Sequence, residues 1–226
     1  MRILGLDTAT EACSAAVWID DEVIERYELA PQRHAGLILP MIESVLGESG
    51  VSLSQLDALA FGRGPGSFTG LRIAAGVVQG IAFAADLPVA AVSTLAAMAR
   101  GAMLESDSDR VAAAIDARKN EVYWGCYAAV EPGDVILLDC ERVCPPAEVV
   151  MPEPGAWIGV GSAWTVYRDI LQQCAPVREA WGDYYPRAGD IAALGRLMYQ
   201  RGEAVSAEQA LPVYLRDNVA EKPLRA

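Results

Sequence analysis

The chain opens on an unbroken apolar run, Ile3-Leu4-Gly5-Leu6, that stops at Asp7. A short apolar run between polar residues is the pattern of a strand buried on both faces. Residues 12–19 (ACSAAVWI) and 22–28 repeat the strand pattern with short polar links, which predicts a meander of hairpins. Residues 35–47 then change to helical periodicity. An apolar strand at 57–62, a glycine-rich turn at 62–70 and an apolar helix to Ala85 follow. Residues 88–92 predict another strand, after which Ser93 caps a helix running to Met103.

The polar stretch LESDSDR at 104–110 predicts a boundary between a first lobe, 1–104, and a second, 105–226, with a C-terminal tail. Beyond it the pattern restarts. Residues 111–116 form an apolar strand ending in an acid, with strands expected at 121–130 and 135–138. A short helix at 145–150, a strand at 156–160 and a clear helix at 188–202 complete the order. ILGLDTATEACSAAV from Ile3 and AAAIDARKNEVYWGC from Ala112 share one layout: apolar strand, Asp, four residues, second strand. Asp7 and Asp116 hold equivalent places in this weak repeat of half the chain.

Composition narrows the function classes. The 226 residues are 53% hydrophobic, which fits a globular protein with a real core. The formal charge is -12, and only Lys119 and Lys222 are lysines. Gripping nucleic acid needs clustered Lys and Arg to neutralise phosphates, and no window supplies them. Any action on RNA therefore needs a partner to hold it. Five cysteines with no CxxC spacing argue against a disulfide scaffold or zinc knuckle and fit a reducing compartment. The apolar start meets Asp7 too early for a signal peptide, and no run is expected to reach membrane-spanning length.

The candidate chemistry lies in the turns. A phosphate-binding hairpin brings backbone N–H groups close to the anion, usually at glycine, while its acid positions a hydrated metal. Here the turns are Asp7-Thr8-Ala9-Thr10 and Asp116-Ala117-Arg118-Lys119-Asn120, both without glycine, so polar Asx-type turns are the favoured reading. The segment GRGPGSFTGLR at 62–72, with Gly64, Gly66 and Ser67, lies between strand and helix. It lacks both the Walker and the Rossmann spacing. It reads either as an anion cradle at a helix N-terminus or as a tight turn that lets the helix pack closely. His34 is the only histidine, so a His-pair metal site is excluded. A peptidase would have to pair His34 with Ser67 or Ser93. An ATPase or phosphotransferase would need Asp7 and Asp116 around a metal. The apolar arc over 37–46 covers about 200°, wider than the stripe one core needs, and the next helix is apolar nearly all round. Two such helices point either to an interface with another subunit or to full burial inside this chain.

LGLDTAT, RHAGLILPMIESVL, GRGPGSFTGLR and LPVAAVSTLAAMA together resemble the TsaB (YeaZ) family, most densely over residues 1–100, with DARKNEVYWGCY and PVYLRD as later landmarks. The resemblance implies an α/β, actin-like (ASKHA, ribonuclease H-like) duplicated fold. It also implies a catalytic paralogue, TsaD, that binds metal and nucleotide. Thr94 and Met98 stand where that paralogue carries metal-binding histidines, and neither is a credible ligand. A non-catalytic scaffold follows, required for threonylcarbamoyl transfer to adenosine 37 of tRNAs reading codons that start with A. ATP and metal are expected on partner subunits: TsaD and the ATPase TsaE, with TsaC supplying threonylcarbamoyl-adenylate. The resemblance also implies a cytoplasmic location, contact with tRNA only through the complex, and a homodimer when the partner is absent. Carried onto this chain, the interface candidates are His34, Leu37, Ile38, Met41, Ser44 and Val45, with Leu71, Ala75, Val78 and Gln79. Asp7, Thr8, Thr10, Gly64, Gly66, Ser67 and Asp116 are the degenerate nucleotide-site positions.

Overall fold

A computed structural model describes residues 1–130 and 133–216. Strand β1 (Arg2–Asp7) pairs antiparallel with β2 (Ala12–Ile19), and β2 with β3 (Glu22–Leu29). The β2–β3 link is Asp20-Asp21, both at positive φ (46° and 72°), the backbone of a two-residue turn that keeps the strand twist. Helix α1 (His34–Ser49) leads to β4 (Ala58–Gly64), which lies parallel to β1. Helix α2 (Phe68–Ala85) leads to β5 (Val89–Ser93), parallel to β4. The first sheet has the order β3-β2-β1-β4-β5.

Helix α3 (Thr94–Glu105) starts where the Ser93 hydroxyl accepts the Ala96 N–H, the cap its sequence predicts. The second sheet uses β6 (Arg110–Asp116), β7 (Val122–Ala129), β8 (Val135–Leu137), β10 (Ile158–Val160) and β11 (Glu179–Trp181). The short β9 (Arg142–Cys144) also pairs with β7. Its order, β8-β7-β6-β10-β11, with β6–β7–β8 antiparallel and β6, β10 and β11 parallel, repeats that of the first sheet strand for strand. The fold is thus the duplicated, ribonuclease H-like architecture of actin-like proteins.

The sheets change over between Ser93 and Arg110, but the helices do not respect that line. Helix α3 covers the second sheet, with Leu95, Met98, Ala99 and Ala102 in its core. Helix α6 (Ala188–Gln200) returns to the first sheet, where Ile191, Ala192 and Leu194 pack on Ile3, Ala58 and Ala60. Each sheet is therefore completed by the other half of the chain. Contact is at backbone distance: a Cβ on Gly5 would lie 2.6 Å from Ala188 O, and one on Gly195 only 2.4 Å from Ala60 Cβ. Where α3 and α6 cross, the nearly buried Arg100 and Asp190 pair at 2.5 Å, and Arg100 Nε also donates to Gly133 O.

Two expectations change. Between residues 139 and 187 the sequence predicts one short helix and one strand, whereas the chain there forms β9, a 3-10 turn at Pro146–Glu148, β10, α4 (Ala163–Val166), α5 (Arg168–Cys174) and β11. These elements are three to seven residues long, too short for periodicity to register. Helix α2, at 18 residues, is by length and composition alone long and apolar enough to cross a bilayer, against the expectation that no run would be. Of its buried face, Ala74, Ala75, Val78 and Ala82 pack into the core of the first lobe instead.

Gly195→Val tests the shared helix. Two added branches against Ala60 force α6 off the sheet, so stability should fall by about 2 kcal/mol or more in urea unfolding. The same change at Gly202, where nothing lies within 4 Å but φ is +73°, should cost about 1 kcal/mol through backbone strain alone.

Candidate functional site

The two strand-ending acids lie in matching turns. Asp7 Oδ1 accepts the Ala9 N–H at 2.9 Å, and Asp116 Oδ1 accepts the Arg118 N–H at 2.9 Å. Both are Asx turns, which hold a hairpin without glycine. Their surroundings differ. Asp7 is fully buried, and its Oδ2 has no hydrogen-bond partner among the described residues. Burial pushes its pKa up to about 7, against the pull of the Ala9 N–H. Asp116 is tied to its own turn: Arg118 Nη1 lies 2.9 Å from Oδ2, and the Asp116 N–H donates to Ser162 Oγ.

The glycine-rich segment lies over the first turn. A Cβ on Gly62 would sit 1.8 Å from Asp7 Oδ2, on Gly66 2.3 Å from Ala9 O, and on Gly70 1.9 Å from Thr8 O. Ser67 N donates to Ala9 O at 2.7 Å, and Thr8 Oγ1 donates to Gly70 O at 2.7 Å. Ser67 then caps α2, its hydroxyl accepting the Gly70 N–H. Of the two readings of this segment, close packing accounts for these glycines. The loop packs directly on the first turn.

Between the lobes runs a cleft of about 870 Å³. Thr10, Gly66, Ser67 and Asp116 reach its lining, while Asp7, Thr8 and Gly64 lie behind it. Arg118 spans it, 3.6 Å from Glu11. The fold class implies a metal and a nucleotide here, and these residues do not fit them. One acid is buried away from the cleft, and the other is engaged by Arg118. Thr94 and Met98 are both buried, Met98 in the core of the second lobe. The Thr94 hydroxyl has no partner among the described residues and lies beside Gly62 with Asp7 Oδ2. A peptidase arrangement is likewise missing from the described residues. The His34 ring nitrogen meets Ala12 O at 3.2 Å, and the Ser93 hydroxyl is held by Glu141.

The helices give a correction. His34, Ile38, Met41, Val45, Leu71, Ala75 and Val78 are buried within the chain, most of them in the first-lobe core. Leu37 and Gln79 are half-buried, with Gln79 Nε2 donating to Ala210 O, and only Ser44 is exposed. An arc of 200° shows that a helix has two apolar sides, not which side meets the sheet. The outward side carries Gly36, Leu39, Pro40, Glu43, Ser44 and Gly47 on α1 and Arg72, Gly76, Gly80, Phe83 and Ala84 on α2. Phe83 is 79% exposed and Leu39 51%. At Gly36, Gly47, Gly76 and Gly80 a Cβ would meet nothing within 4 Å.

Comparison with known proteins gives a TsaD family model and relatives named TsaB or YeaZ. The model of TsaD, tRNA N6-adenosine threonylcarbamoyltransferase, matches residues 21–224. The chain is 45% identical to the tRNA threonylcarbamoyladenosine biosynthesis protein TsaB of Escherichia coli (strain K12), over 99% of this chain and 98% of that one. It is 39% identical to the TsaB protein of Haemophilus influenzae, over 99% and 97%. The solved structure of YeaZ from Pseudomonas aeruginosa superposes with a TM-score of 0.90 at 48% identity, covering 95% of this chain and 99% of that one.

The state of Asp7 sets a pH dependence. Its folded pKa of about 7 lies above the ordinary 3.8, so between these values the folded protein keeps a proton that the unfolded chain releases. This contribution favours the fold at low pH and is lost as pH rises towards 7, by up to about 1.4 kcal/mol per pH unit. Asp7→Asn should remove it. In urea titrations from pH 4.5 to 7.5, the stability difference between Asp7→Asn and wild type should shift in favour of the variant as pH rises; a constant difference would show that Asp7 is ionised throughout.

Proposed function

The chain belongs to the TsaB (YeaZ) family, and we propose that it serves in tRNA threonylcarbamoyladenosine synthesis as a non-catalytic scaffold that binds and activates the TsaD catalytic paralogue. The reaction supported is threonylcarbamoyl transfer to adenosine 37 of tRNAs reading codons that start with A, in the cytoplasm. ATP and metal act on the partner subunits, TsaD and the ATPase TsaE. The tRNA is met through the complex, in keeping with a chain of formal charge -12.

The observation that carries this reading is the outward face of α1 and α2. Glycine inside a helix costs about 0.5–1 kcal/mol relative to alanine. The glycines facing Asp7, Thr8 and Ala9 are required by contacts inside the chain. Gly36, Gly47, Gly76 and Gly80 face solvent and are required by none. Together with the exposed Leu39 and Phe83 they make a surface on which another helix can lie at close range. That surface fits a helical partner of the same fold, and a second copy of this chain when the partner is absent.

The buried candidates give the control. Val78→Glu places a charge in the core and should unfold the protein. Gly76→Leu and Phe83→Glu change only exposed positions. Both should keep the wild-type circular dichroism and melt no lower than wild type, Gly76→Leu somewhat higher, while weakening binding to the catalytic paralogue by about 30-fold or more in calorimetry. In cells depleted of this protein, mass spectrometry of tRNA nucleosides should show loss of threonylcarbamoyladenosine. Wild type and Asp7→Asn should restore it, and Phe83→Glu should not. Failure of a folded Asp7→Asn variant to restore it would overturn the scaffold reading in favour of a nucleotide-binding role.

A further inference from the structure

We propose that residues 211–216 form a strap across the interlobe cleft that couples the start of α2 in the first lobe to the hairpin at 117–121 in the second. The strap is anchored in the first lobe at three points. Gln79 Nε2 donates to Ala210 O just before it, at 3.0 Å. The Val213 N–H donates to Arg63 O at 2.8 Å. Tyr214 packs on Phe68 with ring centroids 5.5 Å apart, its phenol oxygen accepts Arg72 Nε at 3.4 Å, and the Arg72 guanidinium stacks on Phe68 at 3.7 Å. Gly64, at φ +109°, leaves the room this course needs, since a Cβ there would sit 2.8 Å from Val213 O.

Two residues further on, the strap reaches the second lobe. Arg216 Nη2 donates to Arg118 O at 3.4 Å and pairs with the Glu121 carboxylate. The turn it meets is under strain: Arg118, Lys119 and Asn120 all have φ between +54° and +61°. Arg and Lys adopt this conformation only when their surroundings enforce it. Within the hairpin the turn is closed by Ala117 N to Glu121 O and Glu121 N to Arg118 O. Arg216 thus binds the first residue of the strained run and the residue that follows it. Val213, Tyr214, Leu215 and Arg216 also line the cleft, so the strap forms part of its wall. Opening the cleft requires one end of the strap to let go.

The experiment is hydrogen exchange by mass spectrometry on the full chain, comparing wild type with Val213→Pro, Tyr214→Ala and Arg216→Ala. Val213→Pro deletes the N–H that reaches Arg63 O, and Tyr214→Ala deletes the aromatic anchor; both act in the first lobe. If the strap couples the lobes, each should speed exchange at 117–121, in the second lobe, by about tenfold. Arg216→Ala should conversely speed exchange at 63–70. Changes confined to the lobe in which each contact was removed would overturn the proposal. Should Val213→Pro fail to fold, the exposed Tyr214→Ala carries the first-lobe arm alone, and the same two outcomes decide it.

Discussion

The glycine-rich loop lies on the first hairpin at backbone distance, and much of the molecule's character depends on that contact. Three carbonyl or carboxylate oxygens of Asp7, Thr8 and Ala9 occupy the space where side chains at Gly62, Gly66 and Gly70 would sit. This fixes the entry of α2, because Ser67 both binds Ala9 O through its N–H and caps the helix through its hydroxyl. It also buries Asp7. An acid sealed from water with one unpartnered oxygen favours its neutral form, and a neutral acid is a poor ligand for a hard cation. The close packing of the loop and the burial of Asp7 thus share one cause.

A second constraint joins the lobes. Because α3 completes the second sheet and α6 the first, one face of each sheet is covered by the other half of the chain. The Arg100–Asp190 pair lies where these helices cross, and removing one member of such a buried pair costs about 3–5 kcal/mol. Burial raises the Asp190 pKa to about 6 despite the neighbouring guanidinium, so the attraction only partly offsets the loss of water. The lobes are held by apolar packing and this pair at one end, and by the short run from Val213 to Arg216 at the other.

Long elements were legible in the sequence. The β1 to α3 order, the restart at 110–116 and the long helix at 188–200 all follow from apolar periodicity, and the equivalence of Asp7 and Asp116 follows from the repeat. The Asx turns were legible too, since a hairpin acid with no glycine beside it has few other conformations. The phase of α1 and α2 was not. Met41 and Val78 look as suited to a partner as Leu39 and Phe83, and only the sheet position shows that the former are core. The strap was also hidden, because its anchors, Arg63, Phe68, Arg72 and Glu121, lie some 95 to 150 positions away from it. Contacts at such separation leave no local pattern.

The glycines separate what the chain does for itself from what it does for others. At Gly5, Gly62, Gly66, Gly70 and Gly195 a single added carbon would strike atoms of the same chain, so the fold alone explains them. At Gly36, Gly47, Gly76 and Gly80 the added carbon would meet nothing, and each site lowers helix stability with no return inside the monomer. In a chain whose net stability is of the order of 10 kcal/mol, four such positions on one outward surface amount to a substantial sacrifice. A helix laid against that surface recovers it, because the missing side chains let two backbones approach and surround Leu39 and Phe83 with contacts. Under the scaffold role proposed above, the stability that the isolated chain forgoes along α1 and α2 is regained on binding the partner.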